Sequence, residues 1–146
     1  MQNLQNSYVF NALAPQALAA TSELLGSALD LSQLGGLDSI VYYVSTNSIT
    51  GDVTVVVKES ATTGGTYTAI TGATTTLVAS NAGTTMISVK LGGSRLGFQK
   101  LSLTAATATS RQVAAIAIAT NPAQGVNGST EATRATNAGL LSRAVV

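Results

Sequence analysis

The sequence has no cysteine and no histidine. Thiol nucleophiles, disulfides, the ordinary imidazole base and the usual zinc ligands are therefore all absent from its chemistry. The lack of cysteine also fits a reducing compartment. Charge is scarce: seven basic and six acidic residues leave a net charge of +1, and charged residues make up 9% of the chain, where a globular protein carries about 25%. No basic stripe is available to neutralise a run of phosphates, so direct nucleic-acid binding is not expected. No apolar run approaches the ~18–20 residues that span a bilayer as a helix, and no membrane contact is expected either. The opening "MQNLQNSYVF" lacks the basic stretch of a secretory signal, which predicts a protein made in the cytoplasm. Tryptophan is absent, and the aromatic residues are only Tyr8, Phe10, Tyr42, Tyr43, Tyr67 and Phe98. A sugar-binding module stacks its ligand on exposed aromatics, so these few give a lectin-like role little material.

Thr, Ser, Asn, Gln and Gly fill the places that charge leaves vacant. The surface they make is polar but weakly charged, a poor guard against association. Depletion of charge also characterises the buried centre of protein–protein interfaces. At 146 residues and 14.6 kDa, the chain suits one domain with an arm at each end.

The segment "GDVTVVVKES" alternates, with Val53, Val55 and Val57 on one face and Thr54, Val56 and Lys58 on the other. Period-2 alternation marks a strand with one face buried. "TTGGT" follows as a turn in which Gly64 and Gly65 are expected to take positive φ, and "TYTAI" returns as a second strand. Further strands are read in "SALDL", "SIVYYVST", "TTTLVAS", "TTMISVKL", "RLGFQKLSLTA" and "RQVAAIAIAT". In "RLGFQKLSLTA" the apolar phase moves from Leu96 and Phe98 to Leu101 and Leu103, which suggests a β-bulge beside Gly97. "RQVAAIAIAT" is apolar on both faces, so it is buried on both, inside the fold or against a partner. About eight strands at short, regular spacing predict an all-β protein, an antiparallel β-sandwich or barrel. Residues 26–122 form the predicted domain.

Both ends differ from the middle. Residues 1–25 contain "NALAPQALAATSELLG", in which Pro15 suits either the first turn of a short helix or an extended arm; the arm is preferred. Residues 123–146 lack strand alternation and end in "LLSRAVV". A polar tail with an apolar tip is expected to order only on a partner.

Little catalytic chemistry remains. Asp52 and Glu59 lie seven residues apart on one predicted strand, roughly 23 Å at ~3.3 Å per residue; paired glycosidase carboxylates need ~5–9.5 Å. Glu59, where the strand meets its turn, reads as a sheet-edge carboxylate satisfied by water, Lys58 or backbone N–H groups. Gly35–Gly36, Gly64–Gly65 and Gly92–Gly93 each precede a predicted strand rather than a helix, so they read as turns and not phosphate loops. Tyr42 and Tyr43, being adjacent in a strand, must point to opposite faces. No cofactor, no metal and no enzymatic activity are expected.

The ordered run "ALDLSQLGGLDSIVYYV", "ITGDVTVVVKES", "GGTYTAITGA", "VKLGGSRLGFQKLSLTAATAT" and "VAAIAIATNP" resembles small head-decoration, or cement, proteins of tailed bacteriophages. The resemblance covers residues 26–122, while the turn "ESATTGGTY" and the long polar tail depart from it. It implies a jelly-roll-like sandwich that binds the outer surface of an icosahedral head and bridges neighbouring major capsid subunits. The expected partners are then the major capsid protein and further copies of the chain, as a dimer or trimer. The expected location is the outside of the virion. Tyr8 and Phe10 in the first arm, and Leu140, Leu141, Val145 and Val146 at the tip of the second, are the candidate partner-binding residues. A carbohydrate-binding or host-attachment module of a phage fibre or minor head protein is the alternative.

Overall fold

The computed structural model describes residues 8–19, 21–34, 39–47, 51–78, 83–91, 95–107 and 111–120. These form nine strands: β1 Tyr8–Leu18, β2 Glu23–Leu25, β3 Leu29–Asp30, β4 Ser39–Thr46, β5 Val53–Ser60, β6 Thr68–Leu77, β7 Thr84–Lys90, β8 Phe98–Ala105 and β9 Arg111–Thr120. A single 3-10 turn, Leu31–Leu34, follows β3, and no α-helix occurs among the described residues.

The alternation read from the sequence is the alternation of the sheets. Val53, Val55 and Val57 are fully buried and Thr54 is exposed, while Ile87 and Val89 point inward from β7. One sheet has the order β1-β9-β4-β7 and the other β2-β8-β5-β6, with β3 paired to β8. All the pairings are antiparallel. Apart from the β5–β6 hairpin and the short step from β2 to β3, each strand crosses to the opposite sheet from its predecessor. With the two-residue β3 set aside, this is a jelly-roll sandwich of two four-stranded sheets.

Size complementarity sets the packing inside. Tyr42 on β4 lies directly opposite Ala117 on β9 and Ile87 on β7, and Val44 and Ile40 lie opposite Ala115 and Ala119. The small inward residues of β9 leave the room that Tyr42 and the partly buried Phe10 occupy. Leu101, Leu103 and Ala105 of β8 close the core from the second sheet, along with Gln99.

Four expectations are corrected. Residues 8–25 are not a free arm: β1 pairs with β9 from Tyr8↔Ala119 to Leu18↔Arg111, Ala12, Leu13 and Leu18 are core residues, and β2 pairs with β8. Two register irregularities, between Asn11 and Leu13 and between Leu13 and Gln16, break the alternation that would have marked the strand. Pro15 falls inside the second of them, on the edge of a sheet, where a missing N–H is tolerated. Among the described residues, strand structure runs from Tyr8 to Thr120; residues 123–146 lie outside the described part.

"TYTAI" and "TTTLVAS" are not two strands but the two halves of β6. Its register against β5 slips between Val56 and Lys58, where Gly72 takes φ +83° and both Ile70 and Ala73 still point inward. Gly64 and Gly65 do not carry the positive φ; Gly65 instead lets the chain pass close to Ser60 and Thr62, where a Cβ would sit 2.5 and 2.6 Å from their hydroxyls. The pairs Gly35–Gly36 and Gly92–Gly93 lie outside the described residues. No bulge interrupts β8, whose register with β5 is constant from Ser60↔Phe98 to Val53↔Ala105. The phase change marks the start of the strand, with Leu96 exposed ahead of it.

Gly26, between β2 and β3, lies where the backbone bonds to both sheets. Its N–H donates to the Leu101 carbonyl at 2.8 Å, and the next N–H, of Ser27, donates to the Ala12 carbonyl at 2.9 Å. A Cβ on Gly26 would lie 2.3 Å from that same Ala12 oxygen, so only glycine fits.

Candidate interaction surface

The two outer faces of the sandwich differ in chemistry. On the β1-β9-β4-β7 sheet, direct cross-strand pairing makes outward rows of Val9, Ile118, Val41 and Ser88, and of Asn11, Ile116, Tyr43 and Met86. Val9 is 64% exposed and Ile116 46%, Tyr43, Met86 and Ile118 are half-buried, and Val41 in the middle of the first row is buried. None of these eight side chains is charged. A third row, Ala114, Ser45 and Thr84, is smaller, and with Pro15 beside it forms a trough flanked by Ile116 and Tyr43.

The other sheet carries charge and hydroxyls outward. Thr76, Thr54, Thr104 and Glu23 form one row across β6, β5, β8 and β2. Lys58 and Lys100 lie directly opposite each other, a repulsive pairing. The structure relieves it by turning both ammonium groups elsewhere: Lys58 Nζ pairs with Glu23 Oε1, and Lys100 Nζ sits 4.4 Å from the centre of the Tyr67 ring. The lysine and the Ser102 hydroxyl, both donating to Glu23, hold its carboxyl below the usual carboxylate range.

The carboxylates serve the fold. Glu59 does point to the core side at the end of β5, as strand parity requires, but its partners are Arg95 Nη1 at 3.4 Å and the Leu96 N–H at 3.2 Å, not Lys58. It thus fastens the approach to β8. Asp30 Oδ1 accepts from the Ser32 N–H at 2.9 Å and the Ser32 hydroxyl at 2.6 Å, which caps the 3-10 turn. Asp30 and Glu59 flank β8 in adjacent rows, opposite Phe98 and Gln99, so their side chains leave opposite faces of the sheet. Asp52 is at the far end of β5 from Glu59, and Asp38 lies outside the described residues. No group of three or more acidic residues converges as a metal site among the described residues.

Of the residues singled out from the sequence, Tyr8 and Phe10 are together, their rings stacked with centroids 6.5 Å apart. They sit at the rim of the sandwich, opposite Ala119 and Ala117, and Phe10 packs on the core. Leu140, Leu141, Val145 and Val146 lie outside the described residues. The adjacent tyrosines do part as expected: Tyr42 is core and Tyr43 faces out. Val9, Ile116 and Met86 were not foreseen as a surface; the one sequence signal for it was the apolar outer face of β9.

In sequence, the chain matches no protein-family description and no curated protein. Its fold is similar to that of solved structures. The PBSX exported protein XepA superposes with a TM-score of 0.58 at 15% identity, over 86% of this chain and 40% of that one. This chain thus spans well under half the length of that protein. A structure of Bacillus endospore appendages, described as a family of disulfide-linked pili, gives a TM-score of 0.48 at 18% identity, covering 79% of this chain and 89% of that one. The CBM22-1-GH10 modules of a Clostridium thermocellum xylanase give 0.42 at 15% identity, over 88% of this chain and 28% of that one.

Proposed function

We propose that the chain is a structural protein of a phage particle that decorates the outside of an icosahedral head. In this reading it stabilises the shell by bridging neighbouring major capsid subunits and turns over no substrate. The observation that carries it is the contrast between the two outer faces: the middle of one sheet turns an uncharged, largely apolar surface outward, with Lys90 only at its rim, while the other sheet carries Lys58, Lys100 and a row of threonines. An apolar face of this kind on a rigid sandwich is a surface to be covered by protein. The ordered sequence resemblance to head-decoration proteins supplies the destination, and the sandwich shared with a PBSX exported protein is compatible with it.

Contact with the capsid is assigned to Leu140, Leu141, Val145 and Val146, the apolar tip of the last segment. A contact of ~4 kcal/mol alone gives only about millimolar affinity, but repetition over a symmetric shell makes weak contacts hold through avidity.

The test is cosedimentation of the purified protein with expanded heads that lack it, followed by a heat challenge. Saturable binding at a fixed ratio to the capsid subunit, with raised heat resistance, is the expected result. Failure to bind heads, with binding to a glycan array that is lost on Tyr43→Ala or Tyr67→Ala, would move the assignment to a host-attachment module.

A further inference from the structure

The outer face of the β1-β9-β4-β7 sheet has relief as well as chemistry. The row through Ile116, Tyr43 and Met86 stands up as a ridge, and the row through Ala114, Ser45 and Thr84 lies beside it as a trough. Both run across the strands, side by side.

We infer that a second copy of this chain covers this face, in a two-fold dimer whose axis runs between ridge and trough. A rotation about an axis in the plane of the face, along that border, exchanges the two sides. The ridge of each copy then enters the trough of the other, with Ile116 over Ala114 and Tyr43 over Ser45. The contact is isologous and closes on itself, so it ends at two copies. The strands of the facing sheets run aligned, as in sheet-on-sheet packing with a spacing of ~10 Å.

Charge is compatible with this occupant. With no charged side chain in the ridge or trough, two copies meet without like-charge repulsion and without stranding a charge away from water. A strongly charged partner would find nothing there to pair with. Lys90, the nearest charge on β7, belongs to the row of Ser39, beyond that of Val41 and Ser88, and falls at the rim.

Size sets the strength. Four strands ~4.8 Å apart and about seven residues at ~3.3 Å give roughly 440 Å² before side-chain relief, against ~800 Å² per partner in a standard interface. The dimer is therefore at the small end of specific contacts and forms in a concentration-dependent way. This inference concerns the free protein and does not rest on the head-decoration reading. Where both hold, the two-fold gives each dimer two identical capsid-contacting surfaces, which is what bridging two subunits requires.

The test is sedimentation velocity of the full chain across a wide concentration range. The expected mass rises from that of the 14.6 kDa chain to twice that value. Ile116→Lys, at an exposed position, is expected to remain monomeric at every concentration with an unchanged melting temperature, while Thr54→Lys on the opposite face dimerises like the parent. Because the chain has no cysteine, Ser45→Cys gives a second readout: a short bismaleimide should join it to itself, whereas Thr54→Cys stays single. A monomer at all concentrations, a trimer, or an Ile116→Lys protein that dimerises normally would each overturn the inference. Dimerisation without head binding would refute the decoration reading alone, and head binding by a strict monomer the dimer alone.

Discussion

The Tyr42 hydroxyl donates a hydrogen bond of 2.9 Å to Gln99 Oε1, and joins the two sheets through the middle of an otherwise apolar core. Both side chains are fully buried, and the Gln99 amide nitrogen has no partner among the described residues. The pair is thus half-satisfied, a state in which each remaining bond matters.

Tyr42→Phe removes the bond and leaves the carbonyl oxygen of Gln99 buried without its donor. The expected loss is about 1–3 kcal/mol, seen as a lower denaturation midpoint. Adding Gln99→Leu should recover much of it, because an apolar pair of similar shape strands no polar group. If the single Tyr42→Phe change leaves stability untouched, the bond contributes nothing. Burial also pushes the Tyr42 phenol above its usual range. The unfolded phenol releases its proton near pH ~10 while the folded one keeps it, so this contribution to stability is complete below that pH and lost above it. Alkaline titration should show Tyr42 ionising only as the protein unfolds.

Glu23 governs the acid side. Its carboxyl is held low by Lys58 and Ser102, so the stabilisation is present above the ordinary carboxylate range and lost as pH falls through the folded value. With side-chain exposures of 24% for Lys58 and 41% for Glu23, the pair is worth no more than ~1 kcal/mol. Lys58→Met should therefore change stability little at neutral pH, since it also removes the repulsion with Lys100, but flatten the acid limb. An acid limb identical to the parent's would show that Glu23 gains nothing from its lysine.

Three glycine-to-alanine changes should rank by cause. At Gly26 the new methyl collides with the Ala12 carbonyl, and a loss well above ~2 kcal/mol is expected. Gly72 has open space but φ +83°, so the cost is backbone strain alone, about 1–2 kcal/mol. Gly64 has open space and no positive φ, and alanine there should be neutral or stabilising by up to ~1 kcal/mol. Thermal melts of the three variants give the order directly, and an equal loss at Gly64 and Gly72 would contradict the φ argument.

Every strand and core residue named above lies between Tyr8 and Thr120. Deleting residues 126–146 is therefore expected to leave the melting temperature nearly unchanged while weakening cosedimentation with heads. A fall of many degrees would show instead that this segment packs on its own domain.

The sequence by itself determined the class of fold and most of its strands. In β5 and β7 the period-2 pattern is uninterrupted, and the side-chain period of a strand leaves only one way to bury such a face; β4 and β9 are legible instead as apolar runs of strand length bounded by polar residues. It also determined what chemistry is missing, because composition excludes imidazole and thiol outright. It did not show β1, whose alternation is broken by two register irregularities around Pro15, nor that β6 is one strand, since Gly72 and its neighbours read locally as a turn. Nor did it place Gln99 in the core, because a glutamine beside Lys100, between Phe98 and Leu101, looks like a solvent-facing position until Tyr42 arrives from the other sheet. The outer face through Val9, Ile116, Tyr43 and Met86 was beyond it for the same reason. These residues come from four strands far apart in the chain, and only the order β1-β9-β4-β7 sets them side by side.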